Sequence, residues 1–146
     1  MLDMNSETGG VLAEQPLGYL MYRVVAVLQP RVAAQLQPLG LTLPEFVCLR
    51  VLSMAPGQSN AELARHTNVS PQAMNNVLRG LQDRGAVRRP ATVDSGRALP
   101  AELTADGAEL LTRAEAAVLA AEDEVLDRLD PEQRRELKRL LAHAVK

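Results

Sequence analysis

Residues Ser59 to Gly85 constrain this chain more than any other stretch, because they spell two short helices joined by a tight turn. Ser59 followed three residues later by Glu62 is a capping box, which starts a helix by satisfying two backbone N–H groups that lack intrahelical partners. Ala61, Leu63 and Ala64 give that helix an apolar side, and Thr67, Asn68 and Val69 form the turn. Ser70 is then an N-cap and Pro71 takes the first helical position, where its missing N–H does no harm. Gly85 ends the helix. Met74, Val77, Leu78 and Leu81 recur at helical offsets and make one buried stripe. The opposite face carries Gln72, Asn75, Asn76 and Arg79. Amides and a guanidinium can bond base edges with two hydrogen bonds at once, and they also reach phosphates. The pattern predicts a helix-turn-helix whose second helix reads double-stranded DNA.

Charge supports this reading once it is located along the chain. The 146 residues carry a net charge of −2, which taken alone argues against DNA. Between Ser59 and Arg97, however, six arginines (65, 79, 84, 88, 89 and 97) face three acids (Glu62, Asp83 and Asp94), a local excess of +3. A basic face on an acidic body suits a DNA binder. Aromatic content is only 2%, so stacking on unpaired bases is not the design. No apolar run approaches membrane-spanning length, and residues 1–15 lack the basic start and apolar block of a signal peptide. A single cysteine excludes an intrachain disulfide and a thiolate metal cage. Cytoplasm is the expected compartment. There is no nucleophile elbow, phosphate loop or metal motif, so neither an enzyme nor a cofactor is expected.

The remaining segments frame the helix-turn-helix. Residues 1–15 read as a flexible N-terminal arm. Pro16 opens a long apolar helix to about Gln37, with Leu17, Leu20, Met21, Val24 and Leu28 on one stripe. Pro30 inside it is expected to kink or break it. Pro44 starts a second helix through about Met54, with Phe46, Leu49 and Leu52 toward a core. After Gly85, Ala86–Arg89 and Ala98–Leu103 are predicted as two strands of a hairpin turning at Asp94-Ser95-Gly96, which is a wing. Pro100 makes the return strand an expected edge. Thr104 caps a long helix to about Leu129, whose Leu111, Ala114, Val118, Ala121 and Val125 recur at heptad spacing. Asp130-Pro131 begins a last helix with Leu137, Leu140, Leu141 and Ala144 on one side. The expected fold is mainly α with a small β-hairpin wing. A winged helix-turn-helix domain covers 41–104, and 16–40 with 105–146 form a helical dimerisation region. The apolar first helix and the heptad seam predict a homodimer.

This order of elements, with several short motifs, resembles the multiple antibiotic resistance regulator (MarR) family of bacterial winged-helix repressors. The matching pieces are Leu41-Thr42, Glu62-Leu63-Ala64, Val69-Ser70, Leu81 with Gly85-Ala86-Val87-Arg88-Arg89, and Arg97 with Leu103-Thr104-Ala105-Asp106-Gly107. The resemblance implies a homodimer that binds a pseudopalindromic operator and releases it on binding a small aromatic or phenolic acid. The wing tip, Val93-Asp94-Ser95-Gly96-Arg97, has one arginine where the family often has Asp-x-Arg-Asp. Arg97 either replaces the tip arginine that enters the minor groove or holds the wing base by pairing with Asp94.

The candidate DNA contacts are therefore Ser70, Gln72, Asn75, Asn76, Arg79, Arg88 and Arg97. Ser70 stands at a positive helix end, where it can cap the helix and donate to a phosphate. Arg88 and Arg89 point to opposite faces of a strand, so at most one faces DNA and the other pairs with an acidic neighbour. Tyr19, Tyr22 and Arg23 on the first helix, with Phe46 and Arg50 on the second, either line a pocket for an aromatic acid or pack the core. His66 ends the third helix, where a cation is welcome, and is also a candidate for phosphate or ligand. Cys48 has two readings. An oxidant-sensing thiol would change the input of the repressor, whereas its place among Val47, Leu49 and Val51 favours a core residue. A winged-helix module that binds protein instead of DNA is the rival from another class, and the polar recognition face argues against it.

Overall fold

The computed structural model describes residues 10–89 and 101–146. Its elements run helix α1 (Leu17–Leu36), a 3-10 turn (Gln37–Leu39), α2 (Leu43–Met54), α3 (Asn60–Thr67), α4 (Pro71–Asp83), strand β1 (Val87–Arg88), β2 (Glu102–Leu103), α5 (Ala105–Val125) and α6 (Pro131–Ala144). The mainly helical fold with a two-stranded antiparallel wing is therefore present. Of the expected N-terminal arm, residues 1–9 lie outside the described residues and residues 10–13 are helical. The chain divides into two compact units. One is Ala33–Ala120, and the other joins the chain up to Val32 with Ala121–Lys146.

The Ala33–Ala120 unit holds the helix-turn-helix and the wing. Leu36, Leu49, Leu52, Leu63, Met74, Leu78 and Leu81 are essentially solvent-free. Burial of each such side chain stabilises the unit by about 1.5–3 kcal/mol. Helix α2 starts with a reciprocal capping box, Glu45 N–H to Thr42 Oγ1 at 3.3 Å and Thr42 N–H to Glu45 Oε1 at 3.0 Å. In β1 and β2 Val87 pairs with Leu103 and Arg88 with Glu102. Ala101 continues the ladder on the other side. Its N–H donates to Gln58 O and its carbonyl accepts from Gly57 N–H, both at 3.1 Å. The return strand thus lies between two backbone partners at its root, not at an edge. Pro100 itself is outside the described residues, and Ala101 supplies its own N–H to the ladder.

A tight junction joins the exit of α4 to the start of α5. Thr104 N–H donates to Ala86 O at 3.1 Å, and the Thr104 hydroxyl donates to Gly85 O at 2.5 Å. The same Thr104 oxygen accepts from Gly107 N–H at 3.0 Å, so Thr104 caps α5 as its sequence position predicts. A Cβ on residue 107 would lie 2.0 Å from Ala86 O, which only glycine avoids.

Three expectations about the long helices need correction. Of the two outcomes expected at Pro30, a break does not occur, since helix α1 is continuous from Leu17 to Leu36. The missing N–H removes one rung, and the remaining ladder of a 20-residue helix bridges the gap. Helix α5 ends at Val125, before a turn in which Leu129 N–H bonds Leu126 O, and does not reach Leu129. Its heptad seam is largely filled within the chain, with Leu111, Ala114 and Ala121 already buried. Apolar side chains remain exposed elsewhere: Leu17, Tyr19, Met21, Tyr22, Val24, Val25 and Val27 on α1, and Leu140 and Leu141 on α6. Helix α6 begins with a capping box between Asp130 and Gln133 and has no buried residue.

Candidate nucleic-acid interface

Two caps set the two helices of the reader. Ser59 Oγ accepts from Glu62 N–H at 3.2 Å at the start of α3. Ser70 Oγ accepts from Ala73 N–H at 3.1 Å at the start of α4. Between them Asn68 takes the left-handed conformation at φ 55°, which asparagine tolerates better than most non-glycine residues, and turns the chain within three residues. Asn60 adds a tie that the sequence does not announce. Its side-chain amide donates to Pro71 O at 3.2 Å, joining the first residue of α3 to the first of α4.

Helix α4 buries Met74, Leu78 and Leu81, with Val77 half-buried. Gln72, Asn75, Asn76 and Arg79 are all exposed on the other side. None of these four has an ion-pair or side-chain hydrogen-bond partner among the described residues, so their donors and acceptors are open to a ligand. Ser70 uses an oxygen lone pair for its cap, which leaves the hydroxyl proton free to donate to a phosphate. The helix thus has a dry side held by the fold and a wet side of amides and a guanidinium, groups able to hydrogen-bond base edges.

The other basic residues divide by surroundings. Arg88 is exposed and lies 3.6 Å from Glu102, its cross-strand neighbour. Arg89 is half-buried, and its Nε and Nη2 have no hydrogen-bond partner among the described residues. Arg84 is exposed, yet its guanidinium is engaged by backbone, with Nη1 donating to Gly40 O at 3.0 Å and Nη2 to Leu39 O at 2.8 Å. Arg97, with the Asp94–Gly96 tip, lies outside the described residues.

The residues singled out for a small ligand are distributed over both units. Tyr19, Tyr22 and Arg23 are exposed on α1, Tyr22 to 70%. Phe46 is half-buried on α2. Arg50 pairs with Glu115 Oε1 at 2.5 Å, and His66 is exposed at the end of α3. Cys48 is fully buried. Burial pushes its thiol up to about 12, with the Arg89 charge opposing and Glu45 adding to the rise. At neutral pH this is a protonated, inert sulfur, as a core residue should be. Among the described residues no three potential ligands gather to hold a metal ion, and no helix is long and apolar enough to cross a membrane.

Comparison with known proteins agrees with this geometry. Residues 41–99 match the MarR family. The HTH-type transcriptional repressor Rv2887 of Mycobacterium tuberculosis is 65% identical over 132 residues, which cover 90% of this chain and 95% of the relative. The crystal structure of the Mycobacterium tuberculosis MarR family protein Rv2887 in complex with salicylic acid superposes with a TM-score of 0.77. It is 64% identical and covers 90% of this chain and 98% of that one. The structure of Rv2887 in complex with DNA gives a TM-score of 0.79 at 60% identity, over 91% of this chain and all of that one.

Proposed function

The chain belongs to the MarR family, and we propose that it is a homodimeric transcriptional repressor that binds a pseudopalindromic operator and releases it on binding a small aromatic acid. The observation that carries the DNA-binding part is the α4 face. Four exposed base-reading groups, Gln72, Asn75, Asn76 and Arg79, stand on a helix whose other side is locked into the core. Ser70 and Arg88 would contact phosphates beside them, and Arg97 would reach the flanking groove from the wing. The similarity to a repressor whose structure includes DNA supports the same partner here. Such a protein needs no catalytic group, and it acts in the cytoplasm, where its operator is.

Dimerisation is supported by the exposed apolar side chains of α1 and α6, which a second copy would cover. The effector class rests on the relative solved with salicylic acid and on side chains that suit such a ligand. Tyr19, Tyr22 and Phe46 can meet a ring edge, while Arg23, Arg50 and His66 can meet a carboxylate. Arg89 joins them as a half-buried guanidinium with two N–H groups open among the described residues. The buried, neutral Cys48 favours a small ligand over an oxidant as the input.

Calorimetry of salicylate with and without operator DNA tests the whole reading. A ligand that weakens operator binding must itself bind more weakly to the operator complex, by the same factor. Equal salicylate affinity in the two titrations would refute release by this ligand.

A further inference from the structure

We infer that Arg84 is a positioning residue for DNA reading, a strut that fixes the exit of the recognition helix against the corner where α1 gives way to α2. The inference rests on the proposal that α4 reads DNA. By sequence Arg84 is one of the six arginines that make the Ser59–Arg97 stretch basic. The backbone of Arg84 is the C-cap of α4. Its side chain crosses to residues more than forty positions earlier and donates to two consecutive carbonyls, Leu39 O at 2.8 Å and Gly40 O at 3.0 Å.

Those carbonyls belong to the end of a helical segment, where C=O groups have no partner of their own. Gly40, at φ 69°, closes the 3-10 turn, and Leu41 N–H bonds back to Leu36 O at 3.3 Å. A cation at such an end is favoured by the helix dipole, and a planar fork of donors suits two adjacent acceptors better than a point charge does. The corner itself is anchored, with Leu36 and Leu41 buried. Arg84 thereby ties the C-terminal end of α4 to a buried corner of the core.

Helix α4 then has a fixing point near each end. At its start Asn60 holds Pro71 O, and at its end Arg84 holds the corner. A binding constellation works only when its groups are held within about 0.5 Å of the productive geometry. Gln72, Asn75, Asn76 and Arg79 extend from a helix of 13 residues, so loss of one end lets all four heads drift together. Phosphate contact needs no such precision. Loss of the strut should therefore weaken sequence-specific binding and spare non-specific binding.

The test uses the full-length chain and an operator selected by the wild-type protein from a random-sequence duplex pool, with all variants assayed below their melting temperatures. Arg84→Ala is expected to lose about tenfold in operator affinity, keep its affinity for random duplex, and keep the wild-type salt slope. Arg84→Lys, which keeps the charge but not the fork, is expected to restore the loss only in part. A salt slope shallower by about one charge, with equal losses on both DNAs and full rescue by Lys, would make Arg84 a phosphate contact and overturn the strut. Unchanged operator affinity in Arg84→Ala would overturn it as well. Failure of the wild-type protein to select any sequence would instead reject DNA reading by α4. Hydrogen exchange without DNA tests the strut separately. Arg84→Ala should expose the last turn of α4 and residues 36–41 while leaving α3 protected, and unchanged exchange would contradict it.

Discussion

Replacement of Gly107 by alanine should destabilise the protein, although alanine is the better helix former. The new Cβ would lie 2.0 Å from Ala86 O and 2.9 Å from the Ala86 carbonyl carbon, both backbone atoms that cannot swing aside. Overpacking of this kind costs about 1–3 kcal/mol. Relief requires α5 to move off the exit of α4, which stretches the two Thr104 hydrogen bonds to Gly85 O and Ala86 O, at about 1 kcal/mol each. The gain in helix propensity offsets about 1 kcal/mol. The net loss is about 2–4 kcal/mol, which for a chain near 150 residues lowers Tm by about 4–16 °C. Gly80→Ala is the matched control. Its Cβ would meet only Glu45 Oε2, at an ordinary 3.7 Å, within α4. That variant should gain about 0.5–1 kcal/mol. Thermal melts of the three proteins at one concentration give the comparison, since a dimer's Tm depends on concentration. A Gly107→Ala protein as stable as wild type would refute the steric argument for this junction.

Three further outcomes are expected. Asn76→Ala should cost about 1–3 kcal/mol on the operator and much less on unrelated duplex, measured by fluorescence anisotropy; equal losses would mean that Asn76 positions the protein without specifying sequence. Val25→Glu changes an exposed α1 residue, so it should leave the folded protomer within about 0.5 kcal/mol of wild type while preventing assembly by sedimentation; a Val25→Glu dimer would place the interface elsewhere. Relative to Cys48→Ala, the wild-type protein should lose stability above pH 9, by up to about 1.4 kcal/mol per pH unit, because the unfolded thiol ionises while the folded one, pushed up to about 12, does not. A pH dependence identical in both proteins would contradict the buried neutral thiol.

The sequence discloses those features whose physics is local. Caps at Ser59, Ser70, Thr104 and Asp130 depend on residues three apart, and each is where the pattern places it. The wet and dry sides of α4 follow from helical periodicity alone. Non-local contacts are not legible in this way. Nothing in the sequence around Arg84 distinguishes a guanidinium that reaches Leu39 and Gly40 from one that reaches a phosphate. The same holds for Asn60 on Pro71 and for Gln58 beside Ala101. Proline is a weaker local signal here, since the missing N–H does not break α1 at Pro30, and Ala101, next to Pro100, is paired on its other side with Gln58. The heptad seam of α5 shows a further limit. Periodicity marks Leu111, Ala114 and Ala121 as buried, but it does not say whether the same chain or a partner covers them.

Selection from a random-sequence duplex pool asks most directly whether α4 reads DNA. The wild-type protein should enrich an inverted repeat with half-sites roughly one helical turn apart, about 10 base pairs centre to centre. A variant with Asn75, Asn76 and Arg79 all replaced by alanine should lose that motif while still binding duplex at low salt. No enriched motif with the wild-type protein, or the same motif with the triple variant, would contradict sequence reading by this face.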